Sequence, residues 1–187
     1  HYAIPHAMSA YLAKKVIQKS GKDIKFITTL HGTDITLVGL EPSFMPLVKF
    51  SIEESDGVTT VSRYLKEKTL TNYNINKEIE VIYNFIDTDN YKKTDNELLR
   101  SHVAPNGEKI LIHTSNFRPV KRVTDTIRIL EKVKNAIPAK LVLIGDGPDR
   151  SECERLAREL GLQKDVIFLG KQDGLAELLS AADLFLM

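Results

Sequence analysis

Apolar positions along this chain follow two rhythms, one of a helix and one of a buried strand. Between Ile4 and Lys19, Met8, Tyr11, Leu12 and Val16 recur at helical spacing, which predicts an amphipathic helix. Gly21 follows as a stop signal. Ile24 to Leu30 reads as a strand, with His31, Gly32, Thr33 and Asp34 beyond its carboxyl end. Pro42 and Ser43 lead into a second helix carrying Phe44, Leu47, Val48 and Ile52 on one face. A short strand from Gly57 to Val61 precedes Ser62, an expected N-cap for a helix reaching to Tyr73. Ile79 to Ile82 is a further strand and ends in Asn84, Phe85, Ile86 and Asp87.

From Thr88 to Gly107 the apolar content falls, and Pro105-Asn106-Gly107 punctuates the chain. We expect a first domain over residues 1–88, a linker over 89–107 and a second domain over 108–187. The second is the more regular. Lys109 to Thr114 is a continuous apolar strand, as in a parallel sheet buried on both faces. A helix from Lys121 turns Val123, Ile127 and Leu130 inward, and Ala139 to Ile144 is the next strand. Asp149 to Leu160 is helical, Asp165 to Leu169 a strand, Leu175 to Ala181 a short helix and Leu184 to Met187 a last strand. Such alternation predicts α/β architecture with doubly wound parallel sheets in both blocks, each Rossmann-like. The first residue is His1, and the final run is apolar, so both domains are expected to be incomplete here.

Composition narrows the classes. The chain has 187 residues, 42% hydrophobic and 27% charged, which fits a globular protein and neither a disordered nor a fibrous one. Its 26 basic and 25 acidic residues give net +1, so no overall field favours nucleic acid or an anionic membrane. The expected partners are small-molecule substrates, and homo-oligomerisation is left open. No apolar run approaches the roughly 18 residues of a membrane span, and no secretory signal opens the chain. The single cysteine, Cys153, excludes a disulfide framework and suits a reducing, cytoplasmic setting. Spaced helically with Leu156, Ala157 and Leu160, it reads as a core residue.

Ligands of open α/β sheets bind beyond the carboxyl ends of the strands. That rule selects the loops 31–34, 84–87, 115–122 and 145–148. In Ser115-Asn116-Phe117-Arg118-Pro119-Val120-Lys121-Arg122, three cations precede a helix whose N-terminus is already positive. A phosphate would neutralise both, whereas a solvated basic loop is the plainer alternative. Gly145-Asp146-Gly147-Pro148 suits either a close backbone approach to a ligand or simple turn chemistry. It is no G-x-G-x-x-G fingerprint, and there is no P-loop, which disfavours dehydrogenase and NTPase functions. His31 is suited to a sugar hydroxyl or to orienting an acceptor, Thr29 to a carboxylate, and Asp34 to a ligand or a turn cap. His1, His6, His102 and His113 have no acids at metal-ligand spacing, so no protein-bound metal is expected. No G-x-S-x-G elbow is present.

In order and spacing these loops resemble the retaining glycosyltransferases of family 4, which have the GT-B fold of two Rossmann-like domains. The matching residues are His31-Gly32-Thr33-Asp34, Val81 to Asp87, the basic turn ending in Lys121, Leu143 to Pro148, Phe168-Leu169-Gly170 and Ala181 to Leu186. Phe85 and Asn116 depart from the general pattern, where Gly and Arg are usual, and match a subgroup acting on L-malate. His1 to Ala7, Thr28 to Thr36 and Ser115 to Arg122 also resemble that subgroup. The resemblance implies transfer of N-acetylglucosamine from UDP-N-acetylglucosamine to L-malate with retention, a first step of bacillithiol biosynthesis, with the nucleotide sugar as substrate and no cofactor. It implies catalytic roles for His31 and Lys121, and places Asn116, Arg118 and Lys121 at the donor diphosphate. Gly145, Asp146, Gly147, Gly170 and Lys171 would line the nucleotide sugar, and Tyr2, Thr29, His31 and Arg63 would face the acceptor. It also implies that a glycine-rich loop precedes His1 and a paired-glutamate segment follows Met187, so this stretch alone is expected to be inactive. Three alternatives stay open: another family 4 hexosyltransferase, a non-catalytic nucleotide-binding module, and a phosphosugar isomerase or epimerase.

Overall fold

Every strand pairing among the described residues is parallel, and the strands sort into two sheets. The computed structural model describes residues 1–94 and 96–187, and the chain divides into two units, His1–Phe85 and Ile86–Met187. In the first unit β1 (Ile27–Leu30), β2 (Gly57–Thr60) and β3 (Glu80–Val81) lie in the order β1-β2-β3. In the second, β4 (Lys109–Thr114), β5 (Ala139–Ile144), β6 (Val166–Gly170) and β7 (Leu184–Phe185) are ordered β6-β5-β4-β7. Helices alternate with the strands: α1 (Met8–Gln18), α2 (Thr33–Thr36), α3 (Met45–Glu54), α4 (Arg63–Tyr73), α5 (Glu97–Val103), α6 (Val123–Lys134), α7 (Arg150–Glu159) and α8 (Leu175–Ser180).

The second sheet is doubly wound because its strands are apolar on both faces. Leu111, Leu141 and Leu143 pack with Val123, Ile127 and Leu130 of α6 and with Cys153, Leu156 and Ala157 of α7. Ile110, Ile112, Val142 and Ile144 point the other way, onto Ala104, Val103 and Leu175, Leu178 and Leu179 of α8. Cys153 is fully buried, and burial foremost, with the charges of Asp149, Glu152 and Glu154, pushes its thiol up to about 11. At neutral pH it is an inert core thiol.

Two sequence expectations change. The stretch 89–107, read as a linker, contains α5, which Asn96 caps by accepting the Leu99 amide at 3.2 Å. Arg100 of α5 donates to the Ala181 carbonyl at 2.6 Å and to the Asp183 carboxylate at 3.0 Å, tying the helix to the second sheet. The helix at the start of the chain forms, but its apolar stripe is not buried: Leu12 is 59% and Val16 68% exposed. That helix leans on α3 through the Tyr11–Phe50 edge contact at 5.0 Å, and Lys14 reaches Asp56 at 2.7 Å. Periodicity reports that a helix has an apolar face, not that a partner covers it.

Asp183 carries a testable pH dependence. Burial raises its pKa, but the Ile110 amide at 2.8 Å, Arg100 and Lys109 outweigh that and hold the carboxyl below the usual carboxylate range. A pKa lower in the folded than in the unfolded state stabilises above the unfolded value, about 3.9, and that contribution is lost as pH falls through the folded value. Asp183→Asn is expected to lower the urea midpoint at pH 7 and to flatten its decline below about pH 4, read from unfolding curves across pH.

Candidate active site

The basic loop leaves β4 at its carboxyl end, and its middle residue is turned inward. Phe117 is fully buried in the α6–α7 core and adopts φ +39°, an uncommon backbone for an aromatic residue. The Asp149 amide donates to the Phe117 carbonyl at 2.9 Å, and the Phe117 amide donates to Ser115 Oγ at 3.3 Å. With Phe117 inside, Asn116 and Arg118 on either side of it face solvent. A tight turn over Pro119–Lys121 follows, in which the Lys121 amide donates to the Arg118 carbonyl at 2.7 Å. Arg122, at φ +50°, pairs with Asp125 in the first turn of α6 at 2.5 Å. Arg122 and Asp125 thus settle each other, while Arg118 and Lys121 stand exposed with no ion pair among the described residues. The turn therefore carries two exposed cations without an acidic partner beside the neutral Asn116, on a chain of balanced charge.

The glycine loop after β5 is packed against this turn. A Cβ on Gly145 would meet the Ser115 carbonyl oxygen at 1.8 Å, and one on Gly147 would meet the Asn116 carbonyl oxygen at 2.0 Å. Gly145 also adopts φ +115°. Both glycines are therefore required by the protein's own backbone, whatever else the loop meets. Asp146 is exposed and caps the loop by accepting the Gly147 amide at 2.9 Å. At the end of β6, the Gly170 carbonyl accepts the Gly145 amide at 2.7 Å, which brings the following loop to the same edge. Lys171 next to it is exposed. Arg150, which sequence reasoning missed, bridges these pieces: its guanidinium lies 5.8 Å from the Phe168 ring centroid, 3.7 Å from Asp146 and 2.9 Å from Glu154. The hydrogen bond to Glu154 foremost raises its pKa, with Asp146 adding to it.

In the first unit, His31-Gly32-Thr33-Asp34 opens the single turn of α2. Asp34 is buried and proves to be a clamp: one oxygen accepts the Ala3 amide at 2.8 Å, the other the Gly32 amide at 3.1 Å and the His31 amide at 3.3 Å. Of its two sequence readings, the turn cap is the one observed. Below it, the Tyr73 hydroxyl donates to the Ile35 carbonyl at 3.1 Å. Burial first, and the Asp34 charge second, push that phenol up to about 12. The anchored loop presents His31 to a cavity of about 240 Å³ at the carboxyl ends of the first sheet, lined also by Thr29, Thr59, Ile82, Asn84 and Phe85. Thr59 Oγ1 donates to Thr29 Oγ1 at 3.0 Å, and His31 Nε2 lies 2.7 Å from His1 Nδ1. Tyr2 stands beside His31, with ring centroids 5.1 Å apart, and its amide donates to the Thr29 carbonyl at 2.8 Å. Arg63 opens α4 behind the N-cap Ser62, exposed and outside the cavity lining, so the structure does not bring it together with His31 and Thr29. Asn84 comes from the loop 84–87 that the strand-end rule selects, whereas Thr59, within β2, has no signal in the sequence that marks it for the cavity. No group of three or more His, Cys, Asp or Glu that could hold a metal occurs among the described residues. No helix among them is long and apolar enough to cross a membrane.

Comparison with known proteins agrees with this anatomy. The family described as glycosyl transferases group 1 matches residues 94–187, and glycosyltransferase family 4 matches residues 1–90. The N-acetyl-alpha-D-glucosaminyl L-malate synthase of Bacillus anthracis is 49% identical over 100% of this chain, which spans 49% of that relative. A GDP-mannose-dependent alpha-(1-6)-phosphatidylinositol monomannoside mannosyltransferase of Mycolicibacterium smegmatis is 22% identical, over 89% of this chain and 43% of its own. Among solved structures, HepE of Anabaena in complex with UDP and glucose aligns with a TM-score of 0.78 at 19% identity, over 96% of this chain and 49% of that one. The chain thus spans about half the length of the first of these relatives. Two parallel-sheet units, a basic turn in one and a histidine-lined cavity in the other, go with these matches: the chain belongs to the glycosyl transferases of group 1, its first half matching glycosyltransferase family 4, on the GT-B fold.

Proposed function

We propose that this chain is part of a retaining glycosyltransferase that moves N-acetylglucosamine from UDP-N-acetylglucosamine to the hydroxyl of L-malate. The observation that carries the choice of substrates is the 49% identity, along the whole chain, to a relative whose name states N-acetylglucosaminyl L-malate synthesis. The uncommitted Arg118 and Lys121 support a diphosphate donor independently of that name.

In such a transfer the bond from the anomeric carbon to the diphosphate oxygen breaks, and its electron pair leaves with UDP. A malate hydroxyl forms the new bond on the same face, and its proton passes to the departing diphosphate. Lys121 and Arg118, with Asn116, would neutralise the charge growing on the leaving group, the largest electrostatic demand of the step. Because the turn provides that charge itself, the reaction as proposed uses no protein-bound metal. Gly145 to Gly147, Gly170 and Lys171 would border the nucleotide. His31 would hold a sugar hydroxyl or orient the acceptor, with Tyr2 and Thr29 beside it. Arg63 would offer a planar fork to a malate carboxylate, a geometry that suits Arg better than Lys.

Mass spectrometry of a reaction containing the full-length protein, UDP-N-acetylglucosamine and L-malate is expected to detect a malate glycoside. Product from a UDP-glucose donor and none from UDP-N-acetylglucosamine would reassign the donor. UDP binding without any turnover would leave only a nucleotide-binding module.

A further inference from the structure

Among the described residues His113 is the only buried histidine, and no role assigned above uses it. It lies on β4, two residues before Ser115, at the root of the basic turn. Its Nδ1 is 2.9 Å from the Leu186 carbonyl oxygen, and its Nε2 is 2.8 Å from Ser115 Oγ. A carbonyl oxygen can only accept, so Nδ1 carries the ring hydrogen in this arrangement. Nε2 is then an acceptor, and the Ser115 hydroxyl donates to it. The lone pairs left on that hydroxyl accept the Phe117 amide at 3.3 Å. The direction of each hydrogen bond is thereby set: Phe117 amide to Ser115, Ser115 hydroxyl to His113, and His113 to the backbone of Leu186.

This chain ends on the residue that most needs holding. Phe117 keeps φ +39° with its ring fully buried, and that backbone is what sends Asn116 and Arg118 outward on either side. An aromatic residue in the left-handed region persists only where its surroundings over-determine it. The relay from His113 is one such determinant, and the Asp149 amide on the Phe117 carbonyl is another.

The geometry points to His113 as a positioning residue for the donor diphosphate: through Ser115 Oγ it holds the turn from Asn116 to Lys121 in the form that meets the phosphates. This rests on the diphosphate role proposed above for that turn. The test uses the full-length enzyme, with donor and acceptor KM measured separately below the melting temperature. Ser115→Ala removes the hydroxyl, and His113→Asn keeps a donor near Leu186 but falls short of Ser115. Each is expected to raise the donor KM about tenfold, the size of one lost hydrogen bond to a positioned group, with the acceptor KM unchanged. His113→Gln, whose side-chain oxygen reaches the Nε2 position, is expected to restore the donor KM. An unchanged donor KM in Ser115→Ala, or equal rises for donor and acceptor, would overturn the positioning role. Calorimetry with UDP separates the two levels. A wild-type enzyme that fails to bind UDP removes the diphosphate role and this one with it, whereas equal UDP affinity in wild type and Ser115→Ala removes only the role of His113.

Discussion

Lys121→Ala in the full-length enzyme is expected to lower kcat/KM by about 100- to 1,000-fold, the usual cost of deleting one preorganised group aimed at developing charge, about 2.7–4 kcal/mol. The thermal midpoint is expected to stay where it was, because the Lys121 side chain is exposed and has no ion pair among the described residues to lose. Arg122→Ala is the informative contrast. That guanidinium is engaged by Asp125 one turn into α6, so its loss should move activity far less, although it stands next in sequence. Steady-state kinetics with a melting curve for each variant checks both statements. A Lys121→Ala enzyme of normal rate would remove the diphosphate role.

The largest structural effect is expected at Gly145. An alanine there sets a methyl group 1.8 Å from the Ser115 carbonyl oxygen, and φ +115° is itself strained for any residue with a Cβ. Neither loop can yield cheaply, because the Gly145 amide is bonded to Gly170 and the Ser115–Phe117 segment is pinned by the Phe117 ring. Overpacking and backbone strain together are expected to cost about 3 kcal/mol or more, and to lower the thermal midpoint by roughly 5–10 °C. Gly161 provides the control. Its φ is +70° but nothing lies within 4 Å of its added Cβ, so Gly161→Ala should cost only about 1 kcal/mol of backbone strain. Equal destabilisation at the two positions would mean that the contact between the loops contributes nothing.

How much of this was legible from the residues alone depended on the range of the interaction involved. β4 and β5 run over Lys109–Thr114 and Ala139–Ile144, as the apolar runs predict, because strands buried on two faces leave an unbroken signature. Ser62 was readable as a cap because capping is local, and its hydroxyl does accept the Leu65 amide at 3.2 Å. The helix α5 was missed, since seven residues with Leu98 turned to solvent carry little periodicity. β1 is shorter than the expected Ile24 to Leu30, because Ile24 and Lys25 continue its pattern without pairing. Pairing begins only where Ile27 meets Gly57, next to the Asp56 carboxylate that accepts the Phe26 amide at 2.8 Å.

The candidate site divides along the same line. A cluster of cations before a helix is visible in one dimension, but which of them is uncommitted is not. Arg122 needed the position of Asp125 to be discounted, and Phe117 needed its buried ring to be recognised as the pivot. The glycines after β5 read ambiguously because the atoms that demand them belong to a loop about 30 residues earlier in the chain. Asp34 reads as a ligand or a cap in one dimension, because the Ala3 amide that its carboxylate accepts comes from 31 residues earlier in the chain. Arg150 was legible only in part: Asp146 and Glu154 stand four residues before and after it, whereas the Phe168 ring that it meets belongs to β6.

Calorimetric titration of the full-length enzyme with UDP and with uridine, in wild type and Lys121→Ala, isolates the phosphates from the base. If the turn holds the two phosphates, the variant binds UDP at least about tenfold more weakly and binds uridine as the wild type does. UDP affinity that is the same in both proteins would contradict it.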